Sequence, residues 1–153
     1  MNYIDKLIAS CHQAKAAQPI QTIVITEGTD LAALNGIQNG VYVFEEINGN
    51  PQQTFEALDR YKKSGDRNCP QLNKACKVMY VGSSRTGVKG RIEQHIGNGP
   101  KSTYALHLSH WFTGEYKITV TQYDVPNEVL QILEDDQADR LEPAFGKRGG
   151  NNR

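Results

Sequence analysis

Two apolar runs constrain this chain more than any other feature. Gly40-Val41-Tyr42-Val43-Phe44 and Lys77-Val78-Met79-Tyr80-Val81-Gly82 are short, rich in β-branched and aromatic residues, and bounded by turn-forming segments. Such runs read as buried strands. Side by side in one small sheet they would bring Tyr42 and Tyr80 together. A helix carrying Arg91 and His95 follows, and a later helix carries Glu134. Two phenols, a guanidinium, an imidazole and a carboxylate are the groups a phosphodiester-cleaving site needs: they orient or activate water, neutralise phosphate charge and hold a cation.

The rest of the chain supplies a fold around these runs. Ile4, Leu7, Ile8 and Cys11 follow the i, i+3, i+4, i+7 spacing of a helix that ends before Pro19. Ile20 to Thr26 is a further strand, and Thr29 or Asp30 caps a short helix over Leu31 to Leu34. Pro51 to Lys63 is a helix with Phe55, Leu58 and Tyr61 along one side. Ser64 to Asn73, rich in Gly, Pro, Asn and Asp, is a loop. Ser83 to Lys89 is a polar turn, and Val88 to Ile96 is a helix stopped by Gly97-Asn98-Gly99-Pro100. Thr103 to Phe112 is expected to be a helix packed through Tyr104, Leu106, Leu108 and Trp111. Tyr116 to Tyr123 alternates and reads as a strand. Pro126 opens the last helix, with Val129, Ile132, Leu133 and Leu141.

The order and spacing of the chemical residues resemble the GIY-YIG nuclease family. The pattern is a Gly-Val-Tyr strand, here residues 40–42, and a Tyr-Val-Gly strand, here residues 80–82. Arg91-Ile92-Glu93-Gln94-His95 matches the Arg and the His one turn later. Leu133-Glu134 runs on to Pro143 as the family's Leu-Glu helix runs into its Pro. The resemblance covers about residues 38 to 152. It implies an α/β fold of α+β type, a small mixed and largely antiparallel sheet of three to four strands flanked by helices. Residues 1–37 are then an N-terminal extension packed on the domain. Residues 38–153 are the nuclease-like domain, with an insertion over about 48–76.

The resemblance also implies roles. Tyr42 orients or deprotonates the attacking water, and Tyr80 hydrogen-bonds the phosphate or that water. Arg91, with its planar fork, clamps the phosphate, and His95 accepts a proton from Tyr42 or contacts the phosphate. Glu134 holds Mg²⁺ or Mn²⁺. A lone carboxylate beside a phosphate suits a cation that keeps several of its waters. Substrate contacts are expected from Arg85, Lys89, Lys101, Lys147 and Arg148. The family's terminal Asn has no counterpart directly after Pro143-Ala144-Phe145, since Gly146 stands there, so Asn151 or Asn152 would fold back to serve. Read without the family, Tyr42 and Tyr80 would be packing residues, and Arg91 and Glu134 solvated helix positions. His107 and His110 match no motif position and read as packing or surface residues.

The charge distribution agrees with a polyanionic partner. The 153 residues balance 17 Lys and Arg against 17 Asp and Glu. Residues 61–117 nevertheless hold ten basic against three acidic residues, while the flanking segments are acidic. That basic middle contains the second strand and the Arg91 helix, so a local positive face lies beside the candidate cleft. DNA is the expected partner, cut by metal-dependent hydrolysis, with a homodimer or a partner subunit as a source of specificity. The rival readings are a catalytically inactive nucleic-acid-binding module and a protein-interaction module on the same fold. No apolar run approaches the roughly 20 residues of a membrane span. The N-terminal residues lack a signal peptide's layout, and the three cysteines show no metal-ligand spacing. A cytoplasmic location with reduced thiols is the expectation.

Overall fold

The computed structural model describes residues 2–147. Four strands form one antiparallel sheet: β1 (Gln21–Thr26), β2 (Gly40–Ile47), β3 (Val78–Ser84) and β4 (Glu115–Gln122), in the spatial order β1-β4-β2-β3. Four α-helices surround it: α1 (Tyr3–Ala16), α2 (Pro51–Ser64), α3 (Val88–Glu93) and α4 (Asn127–Leu141). The α+β architecture expected from the sequence is the one observed, with the sheet antiparallel throughout. The strand at Gln21–Thr26 extends the sheet through β4, so the N-terminal segment shares the sheet with the rest of the chain. No helix among the described residues is long and apolar enough to cross a membrane.

Local chemistry explains the element ends. The Asn50 side chain accepts from the Gln52 and Gln53 N–H groups and Pro51 fills the first turn, so α2 starts there; Gly65 ends it in the left-handed region. Asp30 caps the short 3₁₀ turn Leu31–Leu34, accepting from Ala32 N–H. Pro126 precedes α4.

The period of two in the strands sorts side chains between two layers. Tyr42 and Phe44 share one face with Tyr80 and Gly82 of β3, through the register Tyr42↔Gly82 and Phe44↔Tyr80. That face carries the larger core, with Ile25, Ile118, Val120, Ile92, Leu106, Leu108 and Phe145. Val41 and Val81 belong to the opposite face, where α4 packs through Leu130 and Ala138. The consequence for function is that β3 is an edge strand with Tyr80 on one side and the α4 helix on the other.

One expectation needs correction. Thr103 to Phe112 is not a helix; only Leu108–His110 makes a 3₁₀ turn. Tyr104, Leu106 and Leu108 are spaced by two, not by a helical three or four, and Ala105 to Leu108 are all buried. Their backbone takes partners from elsewhere in the fold: Ala105 N–H donates to the Asn68 carbonyl, and Leu106 N–H to the His95 ring. His107 sits at φ 51°, a conformation no helix continues through. The apolar side of α1 stays largely exposed. The helix packs on α4, yet Ile4 stays 64% and Ile8 51% exposed.

Candidate active site

Gly82 makes the site possible. A Cβ there would lie 2.7 Å from both the Cζ and the hydroxyl oxygen of Tyr42. Its absence lets the Tyr42 ring lie flat across β3, next to Tyr80, with ring centroids 6.4 Å apart and planes within 14°. The side chain of His95 meets both rings, with its centroid 5.5 Å from Tyr42 and 4.5 Å from Tyr80. It comes from a single π-turn, Gln94–Asn98, that continues α3. Gly97 breaks that turn at φ 142° against the side chain of Ser109, where any Cβ would collide with the serine hydroxyl.

The hydrogen bonds fix the state of His95. Leu106 N–H donates to its Nδ1 at 3.1 Å, so Nδ1 is bare. Nε2 therefore carries the proton of the neutral ring and donates to the Tyr42 hydroxyl oxygen, 3.1 Å away. Burial, reinforced by the nearby Arg91 charge, holds the imidazole pKa well below its ordinary value, which agrees with a neutral ring. Burial likewise pushes both phenols up, Tyr42 above all, while the Arg91 guanidinium pulls each of them down.

Arg91 is braced from behind. Its Nη1 donates to Gln94 Oε1 at 2.8 Å and its Nη2 to the Tyr104 carbonyl at 2.8 Å. Glu134 reaches the same place from the other face of the sheet. Ser83 Oγ donates to its Oε1 at 2.7 Å and Gln131 Nε2 to its Oε2 at 2.9 Å. Burial raises the Glu134 pKa, and these two hydrogen bonds oppose the rise.

Tyr80, Arg91 and Glu134 thus meet at the open edge of β3, where they line a cleft of about 520 Å³ together with Arg85 and Lys147. Tyr42 and His95 do not line it. Tyr42 is 1% exposed and His95 fully buried, one layer beneath Tyr80. Lys89 and Lys101 are not cleft residues either, and Lys101 lies 4.0 Å from Asp66. Arg148, Asn151 and Asn152 fall outside the described residues. Two further histidines hold backbone carbonyls. His107 Nε2 donates to the Thr103 and Asn68 carbonyls at 2.8 and 3.2 Å, and His110 Nε2 pairs with the Gly97 carbonyl at 3.2 Å.

Four further residues shape the cleft. Ser83 and Gln131 orient Glu134, Lys62 arrives from α2, and Tyr104 stands exposed at the mouth. Gln131, at i−3 from Glu134, was legible as a helix neighbour; the others depend on long-range packing.

Among the described residues Glu134 is the single carboxylate on the cleft, and no group of three or more His, Cys, Asp or Glu gathers. Each Glu134 oxygen accepts one hydrogen bond and retains a second lone pair. This donor set fits a hard cation held by one protein ligand and its own waters. It does not fit a closed structural zinc site.

No family model matches the chain, nor does any curated protein or solved structure.

Proposed function

We propose that this protein is a GIY-YIG-type endonuclease that hydrolyses DNA phosphodiesters with the help of one divalent cation. The observation that carries the reading is the convergence of Tyr80, Arg91 and Glu134 on one cleft at the edge of β3, with Arg85 and Lys147 beside them. These residues come from three separate segments and both faces of the sheet. An unselected tyrosine, arginine and glutamate would rarely be gathered so, and each holds the motif position of the resemblance.

A scissile phosphate in this cleft lies against Arg91, whose fork is held at the right depth by Gln94 and the Tyr104 carbonyl. Glu134 would hold Mg²⁺ or Mn²⁺, which supplies Lewis acidity to the phosphate and acidity to a bound water. Both phenols stay protonated in neutral solution because burial raises their pKa values. Tyr80 therefore orients the attacking water by hydrogen bonding, while buried Tyr42 backs the Tyr80 ring from the layer behind it. The water oxygen bonds to phosphorus opposite the departing ester oxygen, the P–O ester bond breaks, and the configuration at phosphorus inverts. The water's proton passes to bulk solvent, and the released alkoxide takes one up. Arg91 compensates the charge that builds on the phosphoryl oxygens.

The decisive experiment incubates the pure protein with supercoiled, linear, branched and single-stranded DNA and Mg²⁺, with Glu134→Gln in parallel. Cleavage by the parent and none by the variant is expected. Salt-sensitive binding without cleavage in Mg²⁺ or Mn²⁺ would leave a binding module in place of the enzyme. No binding and no cleavage would discard the nucleic-acid reading.

A further inference from the structure

Tyr104 is an exposed aromatic on a backbone that is held from four directions. The residue is 61% exposed. Here Arg91 Nη2 donates to the Tyr104 carbonyl at 2.8 Å. Ala105 N–H reaches the Asn68 carbonyl at 3.4 Å, and Leu106 N–H the His95 ring at 3.1 Å. Trp111 Nε1 donates to the Leu106 carbonyl at 2.6 Å. The loop preceding it is tied down by the insertion, because Asn68 N–H donates to the Lys101 carbonyl and its side-chain amide to the Ser102 carbonyl. His107 closes the arrangement by donating to Thr103 and Asn68 carbonyls. The segment around Asn68 thereby fixes Tyr104 at the mouth of the cleft.

We infer that Tyr104 is a stacking platform for one unpaired base, so that the cleft selects single-stranded DNA or the unpaired strand of a branched structure over intact duplex. The inference rests on the phosphodiester reading of the cleft. Its geometry is specific. The residue that clamps the phosphate is hydrogen-bonded to the residue that would receive the base, which fixes the spacing between the two. Lys62, from α2, and Lys147 add positive charge along the same wall. A cavity of about 520 Å³ is of small-ligand size. A base still paired in a duplex could not enter without being extruded, whereas an unpaired one can splay out and stack. Aromatic stacking tolerates any base, so the platform implies selection for strandedness and not for sequence.

The test measures binding by fluorescence anisotropy, with Ca²⁺ replacing Mg²⁺ to suppress turnover. Labelled oligothymidylate and a blunt duplex of equal length are compared. The parent should prefer the single strand. Tyr104→Ala should weaken single-strand binding about tenfold or more, the range of losing one stacked base, and leave duplex binding unchanged. Tyr104→Trp should restore it. Ultraviolet irradiation of an oligonucleotide carrying 5-iodouracil should cross-link the peptide containing Tyr104 in the parent. Equal affinity of Tyr104→Ala and parent for both ligands, with the cross-link elsewhere, overturns the inference; if Arg91→Ala still weakens both, the clamp reading survives. Absence of salt-sensitive binding to either ligand overturns both.

Discussion

Removing one oxygen from the buried layer tests the site's architecture most sharply. In Tyr42→Phe the ring keeps its place over Gly82, and its contacts with Phe44 and Tyr80 persist. What disappears is the acceptor 3.1 Å from His95 Nε2. The ring cannot answer by switching tautomer, because Nδ1 must stay bare to receive Leu106 N–H. Nor can it turn toward water, since it is fully buried. The variant therefore leaves one buried N–H without a partner, a loss of about 1–3 kcal/mol. For a chain of this size each kcal/mol lowers Tm by about 2–4 °C, so a fall of about 2–12 °C is expected. Chemical denaturation of Tyr42→Phe, His95→Phe and the double variant completes a cycle, in which the coupling energy should reach about 1 kcal/mol. Nitrogen-15 shifts of the His95 ring should show Nδ1 unprotonated and Nε2 protonated in the parent. Additive effects, or a protonated Nδ1, would refute the argument.

Other outcomes follow from the same geometry. Glu134→Gln keeps the hydrogen bonds from Ser83 within reach but loses the charge, so the protein should fold and bind DNA while cleavage in Mg²⁺ drops below detection. Arg91→Lys keeps the charge and loses the fork; a cleavage rate at least about tenfold lower is expected, and parental turnover would make Arg91 a surface residue. Gly82→Ala forces a methyl to within 2.7 Å of the Tyr42 ring, and overpacking of this kind costs about 1–3 kcal/mol; an unchanged urea midpoint would mean that the ring lies elsewhere. The His95 pKa is depressed in the folded state, so protonation favours the unfolded chain. Its contribution is full above the unfolded value of about 6.5 and shrinks as pH falls from there towards the folded value, at up to about 1.4 kcal/mol per pH unit. Stability curves between neutral and mildly acidic pH should show this slope in the parent and lose it in His95→Phe.

Elements with local causes can be read from the chain alone. β2 and β3 were legible because a run of β-branched and aromatic residues between turns has few other uses, and α2 because Asn50-Pro51 and Gly65 mark its ends. The order of Tyr80, Arg91 and Glu134 along the chain was legible too. Their meeting was not. It depends on β3 lying at an edge, which the β1-β4-β2-β3 order sets, and on α4 covering the face opposite Tyr80, which the packing of Leu130 and Ala138 on Val41 and Val81 sets. Tertiary packing also divided two tyrosines that look equivalent in sequence: the register Tyr42↔Gly82 buries one ring under the other strand, while Tyr80 on the outer strand reaches the cleft. The segment 103–112 departs from a helix for a related reason. Its backbone hydrogen bonds are made with Asn68 and His95, residues 37 and 11 positions away from their partners, and no periodicity within the segment encodes partners at that distance.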